Sequence, residues 1–236
     1  MALALKNGVV FMHIPKTGGN WVREILTELD LVDTEIAYKH AAAERVSIQP
    51  YFDKYWEEKL APTHITHSFD SYPVYRPPDM FAFVRNPISW YESWFKYQSD
   101  PERIWKHSGD RRGLIDWHVC KPINVVGDKI GKEGLKFNDF MRAVIKKCPG
   151  FVTCMYHSYM ALGSIVYGRQ EKLSTDLVQI LQMLRIDFDP EFVLNYPKTN
   201  VSPEPENPIV WDKDVLEEVT RLEYAGIKGY GYGYGR

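Results

Sequence analysis

The chain has 236 residues, of which 44% are hydrophobic and 25% charged, and a formal net charge of −2. This is the composition of a globular protein, and its charge balance gives no support for a general binder of nucleic acids or polyanions. A local basic site for a small anion remains open, because a few well-aimed donors suffice.

The length suits one α/β domain over residues 1–236. Cys120, Cys148 and Cys154 are odd in number and form no CxxC pair, which argues against a disulfide framework or a zinc site. Reduced thiols in a cytoplasmic setting are the expectation. No apolar run approaches the ~20 residues that cross a bilayer. The amino-terminal stretch MALALKNGVVFMHI has no basic start and no cleavage pattern, so no membrane span or leader is expected.

In chain order, Gly8 to Ile14 is an apolar run stopped by Pro15, which suits a buried parallel strand. The turn signal Lys16-Thr17-Gly18-Gly19-Asn20 follows. Trp21, Val22, Ile25, Leu26 and Leu29 then recur at helical spacing. Tyr51 to Leu60 reads as an amphipathic helix and His64 to Phe69 as a strand. Met80 to Val84 is a clear strand, and a helix from Ile88 to about Gln98 begins behind Pro87. Residues 100–135 are polar and without period, as binding lids often are. Helices are predicted over Phe137–Lys147, Leu173–Leu184 and Asp212–Tyr224, and a strand over Gly163–Tyr167. The terminal GYGYGYGR is predicted to be a flexible or surface-packed tail, 229–236.

The strongest chemical signal is HIPKTGGNW, residues 13–21. A glycine turn that opens a helix offers backbone N–H groups and the positive end of a helix dipole to an anion. Gly18 and Gly19 allow close approach, Lys16 can neutralise charge on a leaving group, and Thr17 can donate a hydroxyl. The triphosphate loop GxxxxGK[ST] does not fit, because Pro15 precedes Lys16 and the glycines follow it. His13 reads as a packing residue that shapes the turn.

A second element matches the first. In FAFVRNPISWYESW, residues 81–94, Arg85 ends a strand and Ser93 lies about two turns along the next helix. Arg85 is therefore at the carboxyl edge of the sheet, where α/β folds bind ligands.

HIPKTGG after an apolar strand resembles the 5′-phosphosulfate loop of the PAPS-dependent sulfotransferases, in its carbohydrate-type branch. PAPS is 3′-phosphoadenosine 5′-phosphosulfate. Asn20 departs from the Ser or Thr often found there. Arg85 and Ser93 match the family's 3′-phosphate pair. Glu171-Lys172-Leu173 resembles its acidic-x-leucine segment, and Asn200-Val201-Ser202 its late loop over the nucleotide.

The resemblance covers roughly 8–30, 64–98 and 160–232. It implies a P-loop-like three-layer fold with a central, mostly parallel sheet flanked by helices. It also implies a sulfuryl transfer from PAPS to a hydroxyl or amine of a carbohydrate or small-molecule acceptor, without a metal. Pro15, Lys16, Thr17, Gly18, Gly19, Asn20, Trp21, Arg85, Ser93, Asn200 and Ser202 would bind the nucleotide. Lys16 and His67 would carry the chemistry, with His64, His118 or a carboxylate as other candidate bases.

Residues 31–62 and 100–158 are unmatched and are expected to hold acceptor specificity. Trp90, Tyr91, Trp94, Trp105 and Trp117 are expected to be mostly core or helix-surface residues. Two other readings are a small-molecule kinase, which needs a Walker-B aspartate where Arg85 stands, and a non-catalytic nucleotide-binding module. The sequence leaves the acceptor and the oligomeric state open.

Overall fold

The amino-terminal stretch forms two strands, one more than the single strand expected over Gly8 to Ile14. Strand β1 spans Ala2–Leu5 and β2 spans Val10–Met12, joined by Lys6-Asn7-Gly8 and Val9, which pairs back with Leu5. Gly8 N–H donates to Leu5 O at 2.8 Å, and Leu5 N–H donates to Val9 O at 2.8 Å. Gly8 has φ 88°, so the loop is the three-residue hairpin that closes with a left-handed residue. A turn this short joins only antiparallel strands.

The computed structural model describes residues 2–36, 79–99, 136–160, 165–199 and 209–233. It adds β3 (Val32–Ile36), β4 (Met80–Val84) and β5 (Ile165–Arg169) to one sheet of order β3-β1-β2-β4-β5. The pairs β1–β2 and β1–β3 are antiparallel, and β2–β4 and β4–β5 are parallel. The expected mostly parallel sheet is thus a mixed one, because the Asn7-Gly8 hairpin turns β1 back on β2. The class is α/β.

The helices are α1 (Gly19–Glu28), α2 (Pro87–Ser99), α3 (Phe137–Lys147), α4 (Phe151–Met160), α5 (Leu173–Met183), α6 (Pro190–Asn195), α7 (Lys213–Leu222) and α8 (Tyr224–Gly229). Side chains alternate across a strand, and the core divides accordingly. Ala2, Ala4, Val10, Met12, Met80, Ala82 and Val84 face α2, α3, α4 and α7. Leu3, Leu5, Phe11, Phe81 and Phe83 face α1, α5 and α6. The alanines leave depth on the first face for bulky rings, and Trp90 and Trp94 stack there at 5.2 Å with 8° between planes.

Both tryptophans and Tyr91 are buried core residues, as expected; Trp105 and Trp117 lie outside the described residues. Strand β3 and helices α3 and α4 fall in stretches set aside for acceptor choice, yet β3 pairs with β1 and both helices pack into the core. The terminal segment is packed through Tyr232: Tyr230 is 8% exposed and Tyr232 bonds Glu171. Of the two expectations for the tail, flexible or surface-packed, packing holds over those residues, because tyrosine brings both apolar area and a hydroxyl that finds acceptors.

Candidate functional site

Three parallel strands set the site's position. β2 pairs with β4 as Val10↔Met80 through Met12↔Ala82, and β4 pairs with β5 as far as Val84↔Arg169. Their carboxyl ends therefore share one sheet edge. From β2 the chain enters the Lys16 turn, from β4 it enters Arg85-Asn86, and from β5 it enters Gln170–Lys172. The indole N–H of Trp90, on α2, donates to Pro15 O at 2.9 Å and ties the first two junctions together.

The first junction is an uncapped helix start. Gly18, at the N-cap of α1, has φ 84°, and among the described residues no side chain caps the helix or places acid in its first turn. Gly18 needs that left-handed backbone, which a Cβ disfavours. Gly19 is fixed by packing instead: a Cβ there would come within 2.2 Å of the His13 ring. His13 is buried and stacks on Phe11 at 5.9 Å, so it shapes the turn as expected. Lys16 itself has φ 64°, a conformation uncommon for a residue with a side chain. Its Nζ lies 4.3 Å from the centroid of the Tyr97 ring, within cation–π range.

Two side chains of the motif face inward. The Thr17 hydroxyl, expected to donate to a ligand, donates to Ile14 O at 2.9 Å and is buried. Trp21 donates its indole N–H to Pro197 O at 2.9 Å and meets Tyr196 edge-on. Both brace the turn, because a buried donor must find a protein acceptor. Asn20 is half-buried at the start of α1.

The second junction is built around Arg85. Its Nε–H donates to Ser89 Oγ at 3.0 Å, and the Ser89 hydroxyl donates to Asn86 O at 3.1 Å. Asn86 Oδ1 accepts Ile88 N–H at 2.9 Å and caps α2. Tyr156 holds the Arg85 backbone from both sides, accepting its N–H at 3.0 Å and donating to its carbonyl at 2.7 Å. Burial pulls the Arg85 pKa below its ordinary value, with Glu171 the largest opposing influence. A cation stripped of water in this way gains most from an anionic partner.

Ser93 stands one helical turn beyond Ser89, and Tyr97 one turn beyond Ser93. Residues four apart share a helix face, so α2 presents Ser89, Ser93 and Tyr97 in a row. Arg85 meets one end of that row and Lys16 the other, about 12 Å apart along the axis. Ser89 was missed in the sequence, although its spacing of four from both Arg85 and Ser93 is a usable signal. Arg169, at the end of β5, was also missed; its backbone N–H bonds Asp176 Oδ2 at 2.8 Å.

His64, His67, His118, Asn200 and Ser202 lie outside the described residues. The chain leading toward Asn200 is held beside α1, where the Thr199 hydroxyl donates to Glu24 Oε2 at 2.7 Å. Among the described residues no group of three or more His, Cys, Asp or Glu is arranged to hold a metal, and no helix is long and apolar enough to cross a membrane. Comparison of the chain with protein-family models, curated proteins and solved structures finds no match in any of them.

Proposed function

We propose that this protein transfers a sulfuryl group from PAPS to a hydroxyl or amine of a carbohydrate or small-molecule acceptor, on a P-loop-like three-layer α/β framework. The observation that carries the reading is the pair of junctions at the ends of adjacent parallel strands β2 and β4, with Lys16 and Arg85 at opposite ends of one face of α2. One anion subsite at each junction suits a nucleotide charged at its 3′ and 5′ positions. Arg85 occupies the strand end where a kinase would hold a metal-binding aspartate, which argues against the phosphoryl-transfer alternative.

The nucleotide supplies an activated sulfuryl group. The acceptor oxygen or nitrogen bonds to sulfur as the bond from sulfur to the 5′-phosphate oxygen breaks. The bonding pair leaves with adenosine 3′,5′-bisphosphate, and the acceptor proton passes to a base, for which His67 is proposed. In this reading the amides of Thr17 to Trp21 hold the 5′ group, while Thr17 and Trp21 side chains keep the turn in shape. Lys16 leaves the Tyr97 ring to neutralise the departing phosphate. Arg85, Ser89 and Ser93 hold the 3′-phosphate, and Asn200 and Ser202 close over the nucleotide.

A thermal-shift assay with adenosine 3′,5′-bisphosphate, against ATP with magnesium, tests this directly. A ligand at 100 times its Kd adds about 2.7 kcal/mol of apparent stability. The bisphosphate is expected to stabilise the wild type, and Arg85→Ala to abolish most of the shift. Stabilisation by ATP alone would favour the kinase. Binding of the bisphosphate without transfer of labelled sulfate to any of a panel of sugars, phenols, lipids and peptides would favour a binding module.

A further inference from the structure

The Tyr-Gly run near the end of the chain reaches the Arg85 corner by two separate routes. Tyr230 packs edge-on against Tyr156 with centroids 5.4 Å apart, and Tyr156 is the residue whose hydroxyl clamps the Arg85 N–H and C=O. Tyr232 donates its hydroxyl to Glu171 Oε2 at 2.9 Å, and the other oxygen of that carboxylate accepts Asn86 N–H at 2.9 Å. Gly231 between them has φ 73°, a left-handed turn that sends the two rings to different partners.

We propose that Tyr230 and Tyr232 are positioning residues for the Arg85 anion subsite, acting through Tyr156 and Glu171 on the backbone of residues 85 and 86. The proposal rests on reading Arg85 as an anion clamp. The direction of the Arg85 side chain is set by the backbone it leaves, and small displacements of a positioned group are costly to function. The two contacts are of different kinds, a ring face and a charge-assisted hydrogen bond, so either one can be removed alone. Glu171 also bears on specificity: it is a carboxylate beside the cation, so its charge opposes an incoming anion while its oxygens hold Asn86 in place.

Two measurements on the full chain test this. In the unliganded protein, Tyr232→Phe and Glu171→Ala are expected to speed amide exchange at Asn86 by about tenfold. Glu171→Gln, whose amide can accept from Asn86 and donate to Tyr232, is expected to restore protection. In calorimetric titrations, Tyr232→Phe, which keeps the Glu171 charge, is expected to weaken adenosine 3′,5′-bisphosphate about fivefold while leaving adenosine 5′-monophosphate within about twofold. Tyr230→Phe, which keeps its ring on Tyr156, is expected to bind both ligands as the wild type does.

Unchanged exchange at Asn86 in Tyr232→Phe and Glu171→Ala would overturn the proposal, as would equal weakening of both ligands, which marks general loosening. If the wild type ignores the bisphosphate, the assignment of Arg85 to a 3′-phosphate fails and this subsite proposal fails with it. In that case the Asn86 exchange pattern shows separately whether the tail braces the corner.

Discussion

Among the described residues, helix α4 begins on the chain's own anion, and α1 begins on none. At α4, Glu223 is fully buried and accepts from Val152 N–H at 3.0 Å, Thr153 N–H at 2.8 Å, the Thr153 hydroxyl at 2.6 Å and Tyr91 at 2.5 Å. Four donors and a helix dipole satisfy one carboxylate. At α1, Gly18 brings no cap, the first turn holds no acid, and Lys16 directly precedes the helix start. The same chemistry serves stability at one helix and, in the proposed reading, is left for an external anion at the other. Loss of the anion should unfold the first site and leave the second folded but unoccupied.

The largest expected effect is at the internal anion. Glu223→Ala strands several buried donors and should cost about 4 kcal/mol, with Glu223→Gln costing about half, by urea denaturation. Arg85→Ala, by contrast, should leave the free protein nearly as stable. It should weaken bisphosphate binding about 100-fold, measured by calorimetry. Comparable destabilisation by both substitutions would erase the distinction between the two helices.

The alkaline limb sharpens it further. Burial, with Glu223 next in weight, raises the Tyr91 pKa well above its ordinary value, and burial does the same for Tyr156. The folded protein then keeps protons that the unfolded chain releases. The contribution of these groups is complete below about pH 10 and is lost as pH rises above it. Cys148, raised by burial and by Glu223 from 9.0 to about 11, adds a loss across that interval. Melting temperature should therefore fall steadily from pH 9 to 11, and Tyr91→Phe should flatten the fall. The smallest expected effect is at Lys16, whose φ of 64° favours glycine. Lys16→Gly should be about 1 kcal/mol more stable than Lys16→Ala, while both weaken bisphosphate binding to the same extent.

The parts of this molecule legible in sequence are those with local causes. The turn at residues 15–20, the strand ending at Val84 and the helix behind Pro87 follow from apolar runs and from glycine and proline punctuation. Helix Phe137–Lys147 has the predicted bounds. Helix α4 was missed because FVTCMYHSYM is rich in aromatic and β-branched residues of modest helix propensity. Its start is capped by Glu223, some seventy residues later in the chain.

The hairpin at Asn7-Gly8 did carry a local signal, but the continuous apolar character on either side masked it. At the candidate site, the placement of Lys16 and Arg85 behind strand ends and of Ser93 on the following helix follows from the sequence pattern. The inward turn of Thr17 and Trp21, the Tyr156 clamp and the packed tail depend on distant partners, which a linear pattern does not encode.

The central claim is that two anion subsites on one sheet edge hold opposite ends of one nucleotide. Its most direct measurement is calorimetric titration of wild type, Lys16→Ala and Arg85→Ala with adenosine 3′,5′-bisphosphate and with each of its two monophosphates. Arg85→Ala should lower the bisphosphate to the affinity of the 5′-monophosphate and leave that monophosphate unchanged. Lys16→Ala should do the converse for the 3′-monophosphate. If neither substitution changes bisphosphate binding, or if both affect the two monophosphates alike, the two-subsite account is contradicted.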